Sequence, residues 1–143
     1  MKRAQAEQGE SSWSGVVWLG GIAAVVYFAM MYVPPYMESM EVKSVLREAS
    51  TKAYHEQNDD VLREFIGSRL KQIGSHQELR DGQETSVPGL GVNDSDIVVN
   101  REPGKSIVVR VRYAKAINYP FTKKQKVMYF SPAVKGDLTP VKW

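Results

Sequence analysis

Histidines are the side chains best suited to chemistry near neutral pH, and this chain has two, His55 and His76, separated by 21 positions. A metal site takes three or four ligands in a tight cluster. No partner set stands near either histidine, so both read as surface residues. Glu56, Asp60 and Glu64 recur every four residues and share a helix face. Paired carboxylates do acid–base work, but Asp59 and Asp60 open a helix and Arg63 is adjacent, so these acids read as capping and solvated groups. Gly89-Leu90-Gly91 is half of a dinucleotide fingerprint, without its third glycine or a strand-to-helix setting. Asn93-Asp94-Ser95 has the form of a glycosylation acceptor, and chance accounts for it. There is no G-x-S-x-G, no phosphate loop and no Ser/His/Asp grouping. Cysteine is absent, which removes disulfides, thiol catalysis, cysteine-based zinc sites and lipid attachment through a cysteine. The expectation is a protein that is not an enzyme and needs no cofactor or metal.

One charged constellation survives this survey: Arg110, Arg112, Lys115, Lys123, Lys124 and Lys126. On the solvent side of a sheet they form a basic surface for an anionic polymer, lipid headgroups or an acidic helix. The competing reading is a solubilising face whose lysines guard an edge strand. The charge distribution supports a polarised molecule. Pro34 to Asn100 carries 7 basic and 12 acidic residues, a net of −5, whereas Arg101 to Trp143 carries 10 basic and 2 acidic, a net of +8. A basic half of this kind points to an anionic neighbour.

What holds these residues in place begins with an uncharged stretch. Trp13 to Val33 is 21 residues without a charge, about 31 Å as a helix, close to the thickness of a hydrocarbon core. Eight of those positions are Val, Leu, Ile or Phe, together worth about −2 to −5 kcal/mol of insertion free energy before the ends and glycines are discounted. Trp13 and Trp18 at one end, and Tyr27, Tyr32 and Tyr36 at the other, suit the two headgroup layers. A cleaved signal peptide would end at small residues in an A-x-A arrangement, whereas here the exit reads AMMYVPPY. A soluble core helix would not be apolar on every face for six turns. The stretch therefore reads as a permanent anchor, residues 13–33, with a cytoplasmic tail at 1–12. Pro34 and Pro35 are expected to mark the membrane exit as a break or a sharp kink. Lys2 and Arg3 on the amino-terminal flank favour a cytoplasmic amino terminus, which puts the rest in the periplasm. Within the span Gly20 and Ala24 are four apart, a spacing that lets helices approach closely.

Beyond the prolines, residues 36–74 carry two helical patterns. Met40, Val42, Val45, Leu46, Ala49 and Ala53 form one apolar stripe, and Leu62, Phe65, Ile66, Leu70 and Ile73 a second. Asn58-Asp59-Asp60 caps the second helix and Gly74 ends it. Residues 75–95 are polar and glycine-rich and read as a loop, unusually long for a compact domain unless it hides a short element near Gln77–Arg80. From residue 96 the period becomes two. Asp96–Glu102, the Pro103–Lys105 turn and Ser106–Tyr119 read as a hairpin. Ile107, Val109, Val111, Tyr113, Ile117 and Tyr119 share its buried face, with Arg110 and Arg112 opposite. Lys126–Phe130 is a third strand, and the proline-bounded tail allows at most a short fourth. Helices followed by strands make an α+β domain, two helices packed on a three- to four-stranded antiparallel sheet.

The run YFAMMYVPPYMESMEVKSVLREAS, with DVLREFIGSRLKQIG, DIVVNRE, VRVRYAKAINYPF and KVMYF after it, resembles a family of small pilin-like single-span membrane proteins of proteobacteria whose function is unknown. The likeness covers about residues 27–130 and rests on pattern and order. It implies a long amino-terminal helix under a small antiparallel sheet, and no particular activity. Gly15 is followed by VVWLG, without the glutamate of a mature pilin helix or the phenylalanine of its cut site, which speaks against leader processing and polymerisation. The expected role is a membrane-anchored interaction module of the bacterial inner membrane. Other membrane subunits and lipid would be its partners, with no nucleic acid or small-molecule substrate. The alternative is a binding module whose basic sheet face docks an anionic envelope polymer or lipid headgroups.

Overall fold

A computed structural model describes residues 10–141 and gives α1 (Glu10–Lys52), α2 (Asp59–Leu70), β1 (Ser75–Arg80), β2 (Gln83–Pro88), a 3-10 turn (Asp94–Asp96), β3 (Ile97–Glu102), β4 (Ser106–Val111), β5 (Tyr113–Asn118), β6 (Gln125–Phe130) and β7 (Ala133–Asp137). Most of the expected tail at 1–12, with Lys2 and Arg3, lies outside the described residues. The class is α+β. The chain forms two compact units whose boundary falls between Pro34 and Pro35.

The first unit is the opening part of α1. Its apolar side chains are mostly exposed, Trp18 by 74% and Val25 by 69%, and none of them is buried among the described residues. The expected break at Pro34 and Pro35 does not occur, because helical residues run through both. Each proline removes one intrahelical donor, leaving the carbonyls of Met30 and Met31 without their usual partners. Pro35 is buried, so packing in the second unit holds the helix through a residue that propensity alone would exclude. The separate helices expected before and after the prolines are thus one element.

In the second unit, the remainder of α1 buries Val42, Leu46, Ala49 and Ala53, one face of the helix read at three- and four-residue spacing. Met40, expected in that stripe, is 71% exposed. α2 adds Leu62, Ile66 and Leu70, with Phe65 and Ile73 packed at the margin. Its start is set by Asn58, whose side chain accepts from the Asp60 amide at 3.0 Å, and by two acids in the first turn. Ile97, Ile107, Val109, Val111 and Tyr113 supply the sheet side of the core.

The sheet is antiparallel, in the order β3-β4-β7, with β5-β6 as a second ladder. The two ladders share one register. Arg110 faces Ala133 in the first, and Tyr113 faces Phe130 in the second, three residues further along each strand. The long strand expected from Ser106 onward therefore exists, interrupted only at Arg112. There the Val111 amide donates to Pro132 at 3.1 Å and the Arg112 amide to Asp96 at 3.0 Å, while Pro132 has no amide hydrogen to complete the ladder. Gly136 marks a close approach of α1 to the sheet. A Cβ there would lie 2.9 Å from the Ser50 Cβ and 3.1 Å from the Ile107 side chain.

Residues 75–95 are not one long loop: the short element allowed for near Gln77–Arg80 is β1. Most of them form the β1–β2 hairpin, paired from Ser75 with Pro88 to Arg80 with Gln83. Asp81 at φ 52° and Gly82 at φ 79° make its two-residue turn, the backbone that an Asp-Gly pair favours between antiparallel strands. Neither strand alternates polar and apolar residues, because neither face is buried.

Candidate functional site

The six expected cations do not make one surface. In an antiparallel ladder, directly opposed residues share a face. Arg110 lies opposite Val98 and Ala133, on the outward face, and Arg112 follows that alternation. Lys135, opposite Val108 in the short fourth strand that the tail allowed, joins them there. Lys115 belongs to the inward face. Its Nζ donates to Glu38 Oε1 at 2.9 Å and to the Ser75 carbonyl at 2.9 Å, and it sits 2.8 Å from Glu38 Oε2. Lys115 and Glu38 side chains are only 19% and 18% exposed, so this lysine ties β5 to α1 and to the foot of the β1–β2 hairpin instead of facing a partner. Lys126 is opposite Ile117, on the inward side but past the core and exposed. Lys123 and Lys124 lie in the β5–β6 turn.

That turn is closed by the Tyr119 amide donating to Lys124 at 3.0 Å, and the Thr122 amide points back to the Tyr119 carbonyl at 3.4 Å. Pro120 takes the position where its fixed φ is favoured in a type I turn, which puts Phe121 at the apex, 84% exposed. Lys123 follows at φ 49°. Three lysines and an exposed ring are therefore presented on one hairpin tip.

Beside Lys115, an aromatic group of which only Tyr113 is buried joins strand and helix. Tyr113 stacks on Phe130 at 5.3 Å, and Phe130 meets Tyr36 edge-on at 6.1 Å. The Tyr113 hydroxyl is buried without a well-aligned hydrogen bond. Burial is the main cause that raises its pKa above the ordinary tyrosine value; the Ser39 hydroxyl opposes the shift and the Glu38 charge adds to it.

Arg101, which carried no signal beyond its charge, is a clamp. Its Nε donates to Asp59 at 2.8 Å, and its two terminal nitrogens donate to the carbonyls of Ala53 at 3.1 Å and Glu56 at 2.8 Å. One guanidinium thereby satisfies carbonyls left open where α1 ends and an acid at the start of α2. Its partners are 42 to 48 residues away, beyond what spacing reveals.

The other singled-out residues have local roles. His76 Nδ1 donates to the Gly89 carbonyl at 2.7 Å. Gly91 lies so close to the His76 ring that a Cβ would be 2.9 Å from it. The Gly89-Leu90-Gly91 segment thus anchors the hairpin foot, with Leu90 buried between two left-handed glycines. His55 contacts the Tyr54 ring edge-on at 5.4 Å. Among the described residues no three His, Asp or Glu side chains gather as a metal-ligand set. Gly20 and Ala24 lie on the exposed part of α1, and a Cβ on Gly20 would meet nothing within 4 Å.

Fold and surface together define an α+β head continuous with a helix that is long and apolar enough to cross a membrane, none of whose apolar stretch is buried among the described residues. No protein-family model, curated protein or solved structure matches this chain.

Proposed function

We propose that this protein is a non-enzymatic, membrane-tethered interaction module, a structural or accessory subunit of an envelope assembly in a proteobacterial inner membrane. The amino terminus is cytoplasmic and the α+β head periplasmic in this reading, and the kinship is with the small pilin-like single-span proteins. One observation carries it: an uncharged, bilayer-length stretch has no cover within the chain, yet continues as the same helix into the core of a folded head. Exposed apolar area of that extent needs lipid or other helices around it. Gly20 and Ala24 offer a neighbouring helix close approach, and the head carries surfaces for further subunits.

Alkaline carbonate extraction followed by purification in mild detergent tests this. The chain is expected to stay in the membrane pellet, to keep its residues before Val33 and to bring down other membrane subunits. A mature chain that starts after Val33, or one that carbonate releases, would overturn the proposal. A second reading, docking of the sheet face on an anionic envelope polymer, is favoured by Arg110, Arg112 and Lys135 on the outward face and by the absence of any acid between Glu102 and Asp137. Polymer binding would weaken steeply as salt rises, whereas packing within the membrane would not.

A further inference from the structure

We infer that the β5–β6 tip is a lipid-contacting hook, which sets Phe121 into the headgroup layer of an anionic bilayer and lays Lys123, Lys124 and Lys126 on lipid phosphates. The inference rests on the membrane-anchor reading above and adds a second point of attachment to it. The first support is position. The strand formed by β4 and β5 runs opposite to α1: Gly136, paired with Ile107, packs on Ser50, while Lys115 reaches Glu38 and Phe130 reaches Tyr36. Rising strand numbers thus follow falling helix numbers, and the tip lies at the end of the head where Pro35 stands. The Tyr119–Lys124 closing pair is about 13 Å past Lys115 at strand rise, whereas Pro35 is only about 4.5 Å past Glu38 at helical rise. The tip therefore lies at the Pro35 end of the head.

The second support is chemistry. An aromatic ring flanked by lysines is the composition that settles in a headgroup layer, the ring at the interface and the ammonium groups among phosphates. Phe121 is 84% exposed, as is Tyr129 on the adjoining strand. No acid occurs from Pro103 to Gly136, so nothing within the ladder neutralises the three lysines. The other hairpin is the contrast. Glu78, Asp81 and Glu84 outweigh Arg80, which pairs with Glu78, and leave the β1–β2 turn region acidic, and Leu79 is its exposed apolar residue. An anionic surface attracts the first tip and repels the second.

The native chain has no cysteine, so a single label is unambiguous. The full chain with Thr122→Cys, carrying a nitroxide and reconstituted into vesicles, reports the tip; Leu79→Cys reports the other hairpin. In vesicles containing phosphatidylglycerol, the label at 122 is expected to be shielded several-fold from a water-soluble nickel relaxant relative to the label at 79. Replacing Lys123, Lys124 and Lys126 with glutamine should remove most of that shielding, since each lysine near an anionic surface is worth about fivefold in partitioning. Pure phosphatidylcholine vesicles should remove it too. Flotation with the vesicles is scored on the same samples. A chain that floats with its 122 label fully open to nickel overturns the hook and leaves the anchor standing. Shielding that persists in phosphatidylcholine or without the lysines also overturns it, by assigning the tip to a protein contact. A chain that does not float overturns the anchor and the hook with it.

Discussion

The two ends of α1 share a backbone conformation and differ in everything else. Between Trp13 and Val33 the side chains are apolar all round and exposed; from Val42 to Ala53 they are apolar on one stripe, and that stripe is closed to solvent. Helix formation therefore says little about environment. The angular distribution of apolar residues decides it: a stripe finds a sheet to cover, whereas a full cylinder finds no cover within so small a chain. The proline pair at the boundary does not end the helix. It ends only the helical hydrogen bonding of two amides, while burial of Pro35 ties the following turn to the head.

A charge placed in each half gives the largest separation between them. Leu46→Asp buries an unpaired carboxylate at a fully closed position and is expected to cost more than about 4 kcal/mol, enough to unfold the head. Ile22→Asp, at a position half exposed in the chain, should leave the thermal unfolding of the head unchanged in detergent and cost about 3 kcal/mol of membrane insertion. Near-ultraviolet circular dichroism and membrane fractionation of both variants check this. Equal loss of head structure would abolish the distinction between the halves.

A smaller effect probes where α1 stops belonging to the core. Arg101→Ala removes the clamp from the Ala53 and Glu56 carbonyls and from Asp59. With the Arg101 side chain 13% exposed and Asp59 36%, solvent recovers part of the loss, and about 2 kcal/mol of head stability is expected to go. Arg101→Lys should recover little, because an ammonium cannot serve three acceptors arranged around a planar fork. Urea unfolding of the three proteins decides it; full rescue by lysine would reduce the clamp to a simple charge effect.

Legibility in the sequence follows the range of the physics. The uncharged helical stretch, both helical stripes, the α2 cap and the long strand from Ser106 are patterns continuous in the sequence, and each was visible. The β1–β2 hairpin was visible only as a possible short element near Gln77–Arg80, because strand patterning reports burial and this hairpin buries neither face. The continuity of α1 through Pro34–Pro35 was hidden for the opposite reason: tertiary burial overrode a strong local preference. For the candidate surface, the lysine-rich turn was legible as a charge run. The misplacement of Lys115 came from counting charge without face: alternation already put it with Tyr113 and Ile117, and the buried Glu38 partner 77 residues away was beyond reach. Arg101 fails the same way, since its acceptors converge only after folding.

The smallest effect tests how tightly strand β5 is sealed against the head half of α1. Tyr113 presents a buried hydroxyl with no well-aligned partner and a pKa raised chiefly by that burial. An acid whose folded pKa lies above its unfolded value keeps its full contribution below the unfolded value, near 10, and loses it as pH climbs through the folded one. Stability of the native protein should therefore fall on the alkaline side of pH 10. Tyr113→Phe retains the ring that stacks on Phe130 and deletes the group that must stay neutral. It is expected to change stability at pH 7 by less than about 1 kcal/mol in either direction, and to flatten the alkaline limb relative to the native chain. Denaturant unfolding at pH 7 and at several values above pH 9 supplies both readings. An unchanged alkaline limb would mean that the hydroxyl reaches water, and that the junction of β5 with α1 is looser than the burial of Tyr113 and Pro35 implies.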